Sequence, residues 1–406
     1  MKHSIRLELI PEDQYSDYRY NVIFKAYKWD PQYEDKNTVS KHILLIDDKT
    51  IKQLKLWAEQ LSNETMLMEE ALLKNLSLAK ELGLPGKIRK TLGYATNYDR
   101  NRNVRLMRFD FHPTRTGWAV SEVNSDVPGG FAEASVLPEI ANTYFDGYTP
   151  AESFSDAMVE AFKSKTKPGA NIAFVHATSY SDDRQVMQFL SDRFIENGMN
   201  TVFAAPDHIK WMDKKAFSIV AGNECNIDGI IRFFPLEWLV TLPRTAKWKG
   251  YYDSETLSCN HPAAILTQSK RLPLIWDKLD VKIPAWKELL PETKSPKAVN
   301  QKDTGWIYKP ALGRVGEGIS IKEAISNEEL SNIEKAARRN SKDWVSQRMF
   351  ESAPIKSANG EDYHLCLGVF TVDGKFAGFY GRISLSPRID SQAEDIPVLM
   401  YEEGMQ

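Results

Sequence analysis

The sequence predicts a mixed α/β fold of two or three subdomains, and three stretches carry that prediction. Residues 105–134, RLMRFDFHPTRTGWAVSEVNSDVPGGFAEA, read as two strands joined by a turn, then a loop that enters a helix. Residues 170–206 alternate strand, helix and strand, as in half of an open parallel sheet. Residues 306–321 place a lysine-bearing strand ahead of a glycine-rich loop and a further strand.

Composition narrows the function classes. With 406 residues, 42% of them hydrophobic and 26% charged, the chain is long enough and balanced enough for a globular core. A net charge of −3 gives no strong pull toward nucleic acid or an anionic membrane, so neither is expected as a partner. No apolar run reaches the length of a membrane span, and the start, MKHSIRLELI, lacks the apolar region of a signal peptide. Cys225, Cys259 and Cys366 are widely separated, as expected of reduced thiols and not of a disulfide framework or zinc site. These features together read as a cytoplasmic protein; oligomeric state is not legible.

Four regions follow in order. Residues 1–103 form an N-terminal, mostly helical region. Short strands are expected at 5–10 and 42–46, and Ile51, Leu54, Trp57 and Leu61 recur at helical spacing. A second helical run over 66–82 stops at Gly83, with Pro85 beyond. Residues 104–148 hold the central hairpin and a helix over 131–144. Arg108, Asp110 and His112 alternate along the first strand, and Glu122, Asn124 and Asp126 along the second. In an antiparallel pair this sets oxygen donors side by side, a set that suits Mg²⁺ when nucleotide phosphates complete its shell; the plainer reading is a solvated polar face. The turn from Val127 through Gly130 either offers N–H groups to an anion at a helix start or simply ends the strand.

Residues 149–228 form the β-α-β subdomain, with strands at 172–177 and 201–205 around a helix that stops at Gly198. G-x-G-x-x-G is missing there, so no dinucleotide site is expected. Residues 229–406 form the nucleotide-binding region. A helix face carries Ile265, Leu272 and Ile275 with Lys270 between them. Lys309 on its strand precedes Gly313, Gly316 and Gly318, then a strand at 319–321. This is not a Walker loop; it reads as a glycine flap over a nucleotide, with Lys309 reaching the phosphates. A helix at 327–340, a strand at 344–347 and a hairpin turning at Asp373-Gly374 complete the region, with Arg382 closing the hairpin.

The ordered motifs, spanning roughly residues 105–399, resemble the glutathionylspermidine synthase-type ATP-grasp ligases. The resemblance rests on R-x-D at Arg108 and Asp110, and on E-x-N followed by Asp and Pro at Glu122, Asn124, Asp126 and Pro128. It continues with Lys270 ahead of Leu272-Pro273, and KP-x-x-GR-x-G at Lys309, Pro310, Gly313, Arg314 and Gly316. The strand with Gln347, G-x-x-x-R from Gly378 to Arg382, and Pro397-Val398-Leu399 complete the set. The amidase domain that bifunctional relatives carry upstream has no counterpart. The resemblance implies a circularly permuted ATP-grasp fold with an open-sheet pre-ATP-grasp-like subdomain, using ATP and Mg²⁺. Asp110, Glu122 and Asn124 would hold the metal. Lys270 and Lys309 would contact the phosphates under the 313–316 flap, with Gln347 near the adenine. Arg108 and Arg382 would stabilise the transferred phosphoryl group. The implied reaction joins a peptide or amino-acid carboxylate to an amine through an acyl phosphate; the alternative is a non-catalytic ATP- or peptide-binding protein on the same fold. Gly129 and Gly130 replace hydroxyl-bearing residues of the family. That implies room for a bulkier carboxylate at this turn; Asp126 and Glu133 are the candidates to face a cationic amine, the plainer reading of Glu133 being a favourable acid in the first turn of its helix.

Overall fold

The computed structural model describes residues 4–300, 303–313 and 319–402. Its backbone is α1 (Asp48–Lys74), β1 (Leu106–Thr114), β2 (Gly117–Asn124), β3 (Trp306–Pro310), β4 (Trp344–Arg348), β5 (Asp362–Val372) and β6 (Lys375–Ser384). The central antiparallel sheet runs Glu394–Ile396, β6, β5, β1, β2. Its register pairs Asp110 with Glu122 and Arg108 with Asn124. It also sets Gly368 between Asp110 and Tyr380, and Cys366 opposite Arg382. A register shift after Asp110 makes Ser121 the extra residue of a bulge.

Alternation sends Met107, Phe109 and Phe111 to the core side of β1. There Phe111 stacks on Trp57 of α1 at 6.5 Å and Phe109 meets Trp286 at 5.9 Å. Helix α1 buries Ile51, Leu54, Ala58, Leu61, Thr65, Met68 and Leu72 in one stripe, and Asp47 caps it by accepting from Thr50 N at 2.8 Å. The opposite side of the sheet is left for Arg108, Asp110, His112, Cys366, Tyr380 and Arg382.

The β-α-β expectation holds. Strands Leu257–Cys259, Gly229–Phe233, Asn171–His176 and Asn200–Ala204 form one parallel sheet in that order, with helix Ser181–Glu196 as crossover. A small sheet of Thr293–Lys294, β4 and β3 carries helix Asn327–Arg339 against Trp306 and Tyr308. The chain closes on itself where Val398–Tyr401 pairs in parallel with His42–Asp47.

Three local expectations change. Residues 131–135 are turns, and the helix is only Val136–Asn142. Lys270 lies between helix Ile265–Gln268 and the 3-10 turn Leu272–Leu274, where its N–H bonds to Ala311 O at 2.9 Å and Pro273 cannot continue the helix. Residues 319–321 form no strand; Ser320 donates a backbone bond to Tyr308, without a ladder. Among the described residues the cysteines are free thiols, and no helix is long and apolar enough to cross a membrane.

Candidate active site

A cleft of about 710 Å³ lies over the polar side of the central sheet, with β3 as its other wall. Arg108, Asp110, Glu122, Asn124, Lys309 and Arg382 all line it. Lys270 and Gln347 line a small adjoining pocket that shares Ser121 and Glu122. Gly313, the first glycine of the expected flap, lies beside Lys270; Gly316, with Arg314 and Gly318, lies outside the described residues.

The contacts are specific. Asp110 takes a two-pronged bond from Arg108, Nε to Oδ1 at 2.8 Å and Nη2 to Oδ2 at 3.0 Å. Arg382 Nη2 and Asn124 Nδ2 each reach the same Oδ2 at 3.2 Å. Lys270 Nζ sits 2.7 Å from Glu122 and donates to Gly313 O at 2.6 Å. Lys309 Nζ donates to Gln347 Oε1 at 2.7 Å and to the bulge carbonyl of Ser121 at 3.3 Å. The bulge therefore aims a free carbonyl at the lysine.

Electrostatics follow from this crowding. Burial pushes the Asp110 carboxyl up, but the Arg108 and Arg382 guanidiniums outweigh it and hold the group at about 2. Burial likewise pushes Glu122 up, and Lys270 turns the balance so that its carboxyl lies below the ordinary value. Lys309 falls to about 8, because burial outweighs the attraction of Glu122 and Lys270 repels it. Burial takes His112 down to about 4, and its Nδ1 faces the Leu365 carbonyl at 3.1 Å. Cys366 is pushed up to about 12 by burial and stays a neutral thiol. Two carboxylates thus face four cationic side chains, and the surplus is positive: the floor is built to receive anions.

The oxygen donors fit a hard cation. Asp110 and Glu122 are cross-strand partners, and the Asn124 amide bonds to Asp110. Among the described residues no cluster of three or more His, Cys, Asp or Glu side chains could hold a metal. A metal here would therefore rest on two carboxylates and an amide, leaving other positions to phosphate oxygens and water.

The proposed amine-facing acids are committed elsewhere. Asp126 is buried against Arg232 and accepts from Leu236 N at 2.9 Å. Glu133 pairs with Lys28 at 2.9 Å. Each is paired with an internal cation from a distant segment, Lys28 being shared between Glu133 and Asp395. The Gly129-Gly130 turn has no adjacent helix start, and its Gly129 carbonyl accepts from Arg108 Nη1 at 2.7 Å. Gly130 adopts φ +97°, and a Cβ there would stand 2.5 Å from the Tyr380 ring. Its lack of a side chain serves backbone and packing; Gly129 has open space around it.

Tyr380, Cys366, His364, Phe350 and Met349 also line the cleft and were not among the expected site residues. Alternation from Arg382 reaches Tyr380, which was a usable signal. Phe350 and Met349 lie outside any strand and gave none.

The sequence profile described as glutathionylspermidine synthase preATP-grasp matches residues 12–400. A Haemophilus influenzae protein described as "Putative acid--amine ligase" is 23% identical over 253 residues, covering 60% of this chain and 62% of its own length. The match thus spans less than two thirds of that relative. A crystal structure titled as a putative gamma-glutamylcysteine synthetase from Methylobacillus flagellatus KT aligns at TM-score 0.46 and 11% identity over 83% of this chain and 88% of its own. Because the profile covers nearly the whole sequence, this chain, whose own structure is mixed α/β, belongs to the glutathionylspermidine synthase preATP-grasp family.

Proposed function

We propose that this protein is an ATP-dependent ligase joining a peptide or amino-acid carboxylate to an amine. The observation that carries the reading is the cleft floor, where Asp110 and Glu122 stand among Arg108, Arg382, Lys270 and Lys309. Phosphoryl transfer needs positioning and charge neutralisation more than covalent help from the protein, and that arrangement offers both.

In this reading a carboxylate oxygen attacks the γ-phosphorus of ATP, the bond to the β-phosphate oxygen breaks, and ADP leaves. The amine nitrogen then attacks the acyl carbon, the bond to phosphate breaks, and an amide forms with loss of the amine proton. Lys309, fixed by Gln347 and the Ser121 carbonyl, and Lys270, fixed by Glu122 and Gly313, hold the phosphates. Arg108 and Arg382 meet the charge of the transferred group. Asp110, Glu122 and Asn124 would hold Mg²⁺, which neutralises and orients the phosphates.

The test is a phosphate-release screen of purified protein with Mg·ATP against paired amino acids, short peptides and amines, alongside calorimetric titration of nucleotide. ADP and phosphate formed only when both substrates are present supports the reading. Nucleotide binding without turnover across the panel turns it into an ATP-binding protein, and absence of nucleotide binding sinks both.

A further inference from the structure

Arg108 and Arg382 carry like charges into one buried place. What holds them together is largely Asp110, whose Oδ2 accepts from Nη2 of both, at 3.0 and 3.2 Å. Under the ligase reading Asp110 also serves a cation, which draws its oxygens from the guanidiniums. A second restraint is then needed, and the Tyr380 ring is placed to supply it. Its centroid lies 5.2 Å from Arg108 Cζ and 5.4 Å from Arg382 Cζ, both inside the roughly 6 Å reach of a cation–π contact.

The ring is itself pinned. Its hydroxyl donates to Asp395 Oδ1 at 2.7 Å, and Asp395 is paired with the buried Lys28. Gly130 lies against the ring where any Cβ would collide with it, and Gly368, opposite Tyr380 on β5, leaves room for the stem of Arg108. Two glycines therefore make the space in which ring and guanidinium meet. We propose that Tyr380 is a positioning residue that keeps the Arg108 and Arg382 guanidiniums paired where the transferred phosphoryl group is received. This rests on the ligase reading.

The experiment measures ATP and ADP affinity by calorimetry on the full chain with Mg²⁺, for the parent and for Tyr380→Phe, Tyr380→Leu and Tyr380→Met, with thermal melting for each. Only the γ-phosphate distinguishes the two nucleotides, so a change in ATP preference caused by altering Tyr380, which touches Arg108 and Arg382, reports the arginine pair. Tyr380→Leu and Tyr380→Met are expected to lower that preference by roughly fivefold or more while leaving ADP affinity in place. Tyr380→Phe, which keeps the ring against Gly130 but loses the bond to Asp395, is expected to retain most of it. If Tyr380→Leu does not fold, Tyr380→Met gives the same reading. Equal loss of ATP and ADP affinity would mean that the ring only packs, and would overturn the proposal. So would an unchanged preference, or a loss in Tyr380→Phe matching that in Tyr380→Leu. A parent protein that binds neither nucleotide would instead defeat the ligase reading itself.

Discussion

Arg105 and Arg108 flank the start of β1 and point to opposite sides of the sheet. Each meets a buried carboxylate, yet the two surroundings differ. Arg105 bonds Glu69 of α1 at 2.8 Å, with both side chains almost wholly enclosed. Ser125, Thr267 and Tyr98 close the same cluster, Tyr98 donating to Glu69 at 2.7 Å. One guanidinium meets one carboxylate there, and neither Arg105 nor Glu69 lines the cleft over β1. Arg108 instead shares its carboxylate with Arg382 and lines the open cleft together with Lys309. Burial and ion pairing alone therefore do not mark a site. Surplus charge beside a cavity does, because it leaves interactions that only a ligand can complete.

The sharpest way to break this contrast is to remove one partner from each side. Glu69→Ala leaves Arg105 buried without its counterion and should cost about 3–5 kcal/mol, read as a lowered denaturant midpoint. Lys309→Met removes one of several crowded cations; its melting temperature should hold or rise while turnover falls by roughly 10²–10³. If Lys309→Met melts as early as Glu69→Ala, the two clusters are the same kind of object and the contrast fails.

The cleft wall allows a finer cut. Gly130→Ser is expected to destabilise by about 2 kcal/mol or more, since it combines a left-handed backbone with a collision against Tyr380. Gly129→Ser has open space and should melt like the parent. Matching melting curves for the two variants would show that the Tyr380 contact does not constrain the turn.

Metal dependence tests each proposed ligand separately. Asp110→Asn, Glu122→Gln and Asn124→Ala should each raise the Mg²⁺ concentration for half-maximal turnover by about tenfold or more. A variant with the parent's Mg²⁺ curve identifies a residue that is not a ligand.

The smallest effect belongs to the enclosed side. His261 lies against Tyr98 at 4.9 Å, and its Nδ1 accepts from Ala263 N at 3.1 Å. Burial, with Arg232 and Arg105 nearby, pulls it from an ordinary 6.5 to about 3. Its folded value is depressed, so its contribution is intact above pH 6.5 and is lost as pH falls toward 3. About 1 kcal/mol should go between pH 6.5 and 5.5. His261→Asn should flatten that part of the stability profile; an unchanged slope would show that another group sets the acid limit.

What the sequence determined by itself was local. The two-residue period of β1 and β2 put Arg108 and Asp110 on one face with Glu122 and Asn124, and the crossover between Asn171–His176 and Asn200–Ala204 was readable from strand, helix and stop signals. Those patterns are written in neighbouring residues, where backbone geometry alone sets direction. Tertiary structure decided how the charges were shared. Asp126 and Glu133 looked as available as Asp110, but they pair inside the protein with Arg232 and Lys28, 106 and 105 residues away in the chain. Lys270 had no helical face to place it; a backbone bond to Ala311 and the Glu122 carboxylate bring it to the site. The two-residue period put Tyr380 on the face of Arg382, but its contact with Gly130 came only from the tertiary fold, because a contact between distant segments leaves no period in either one.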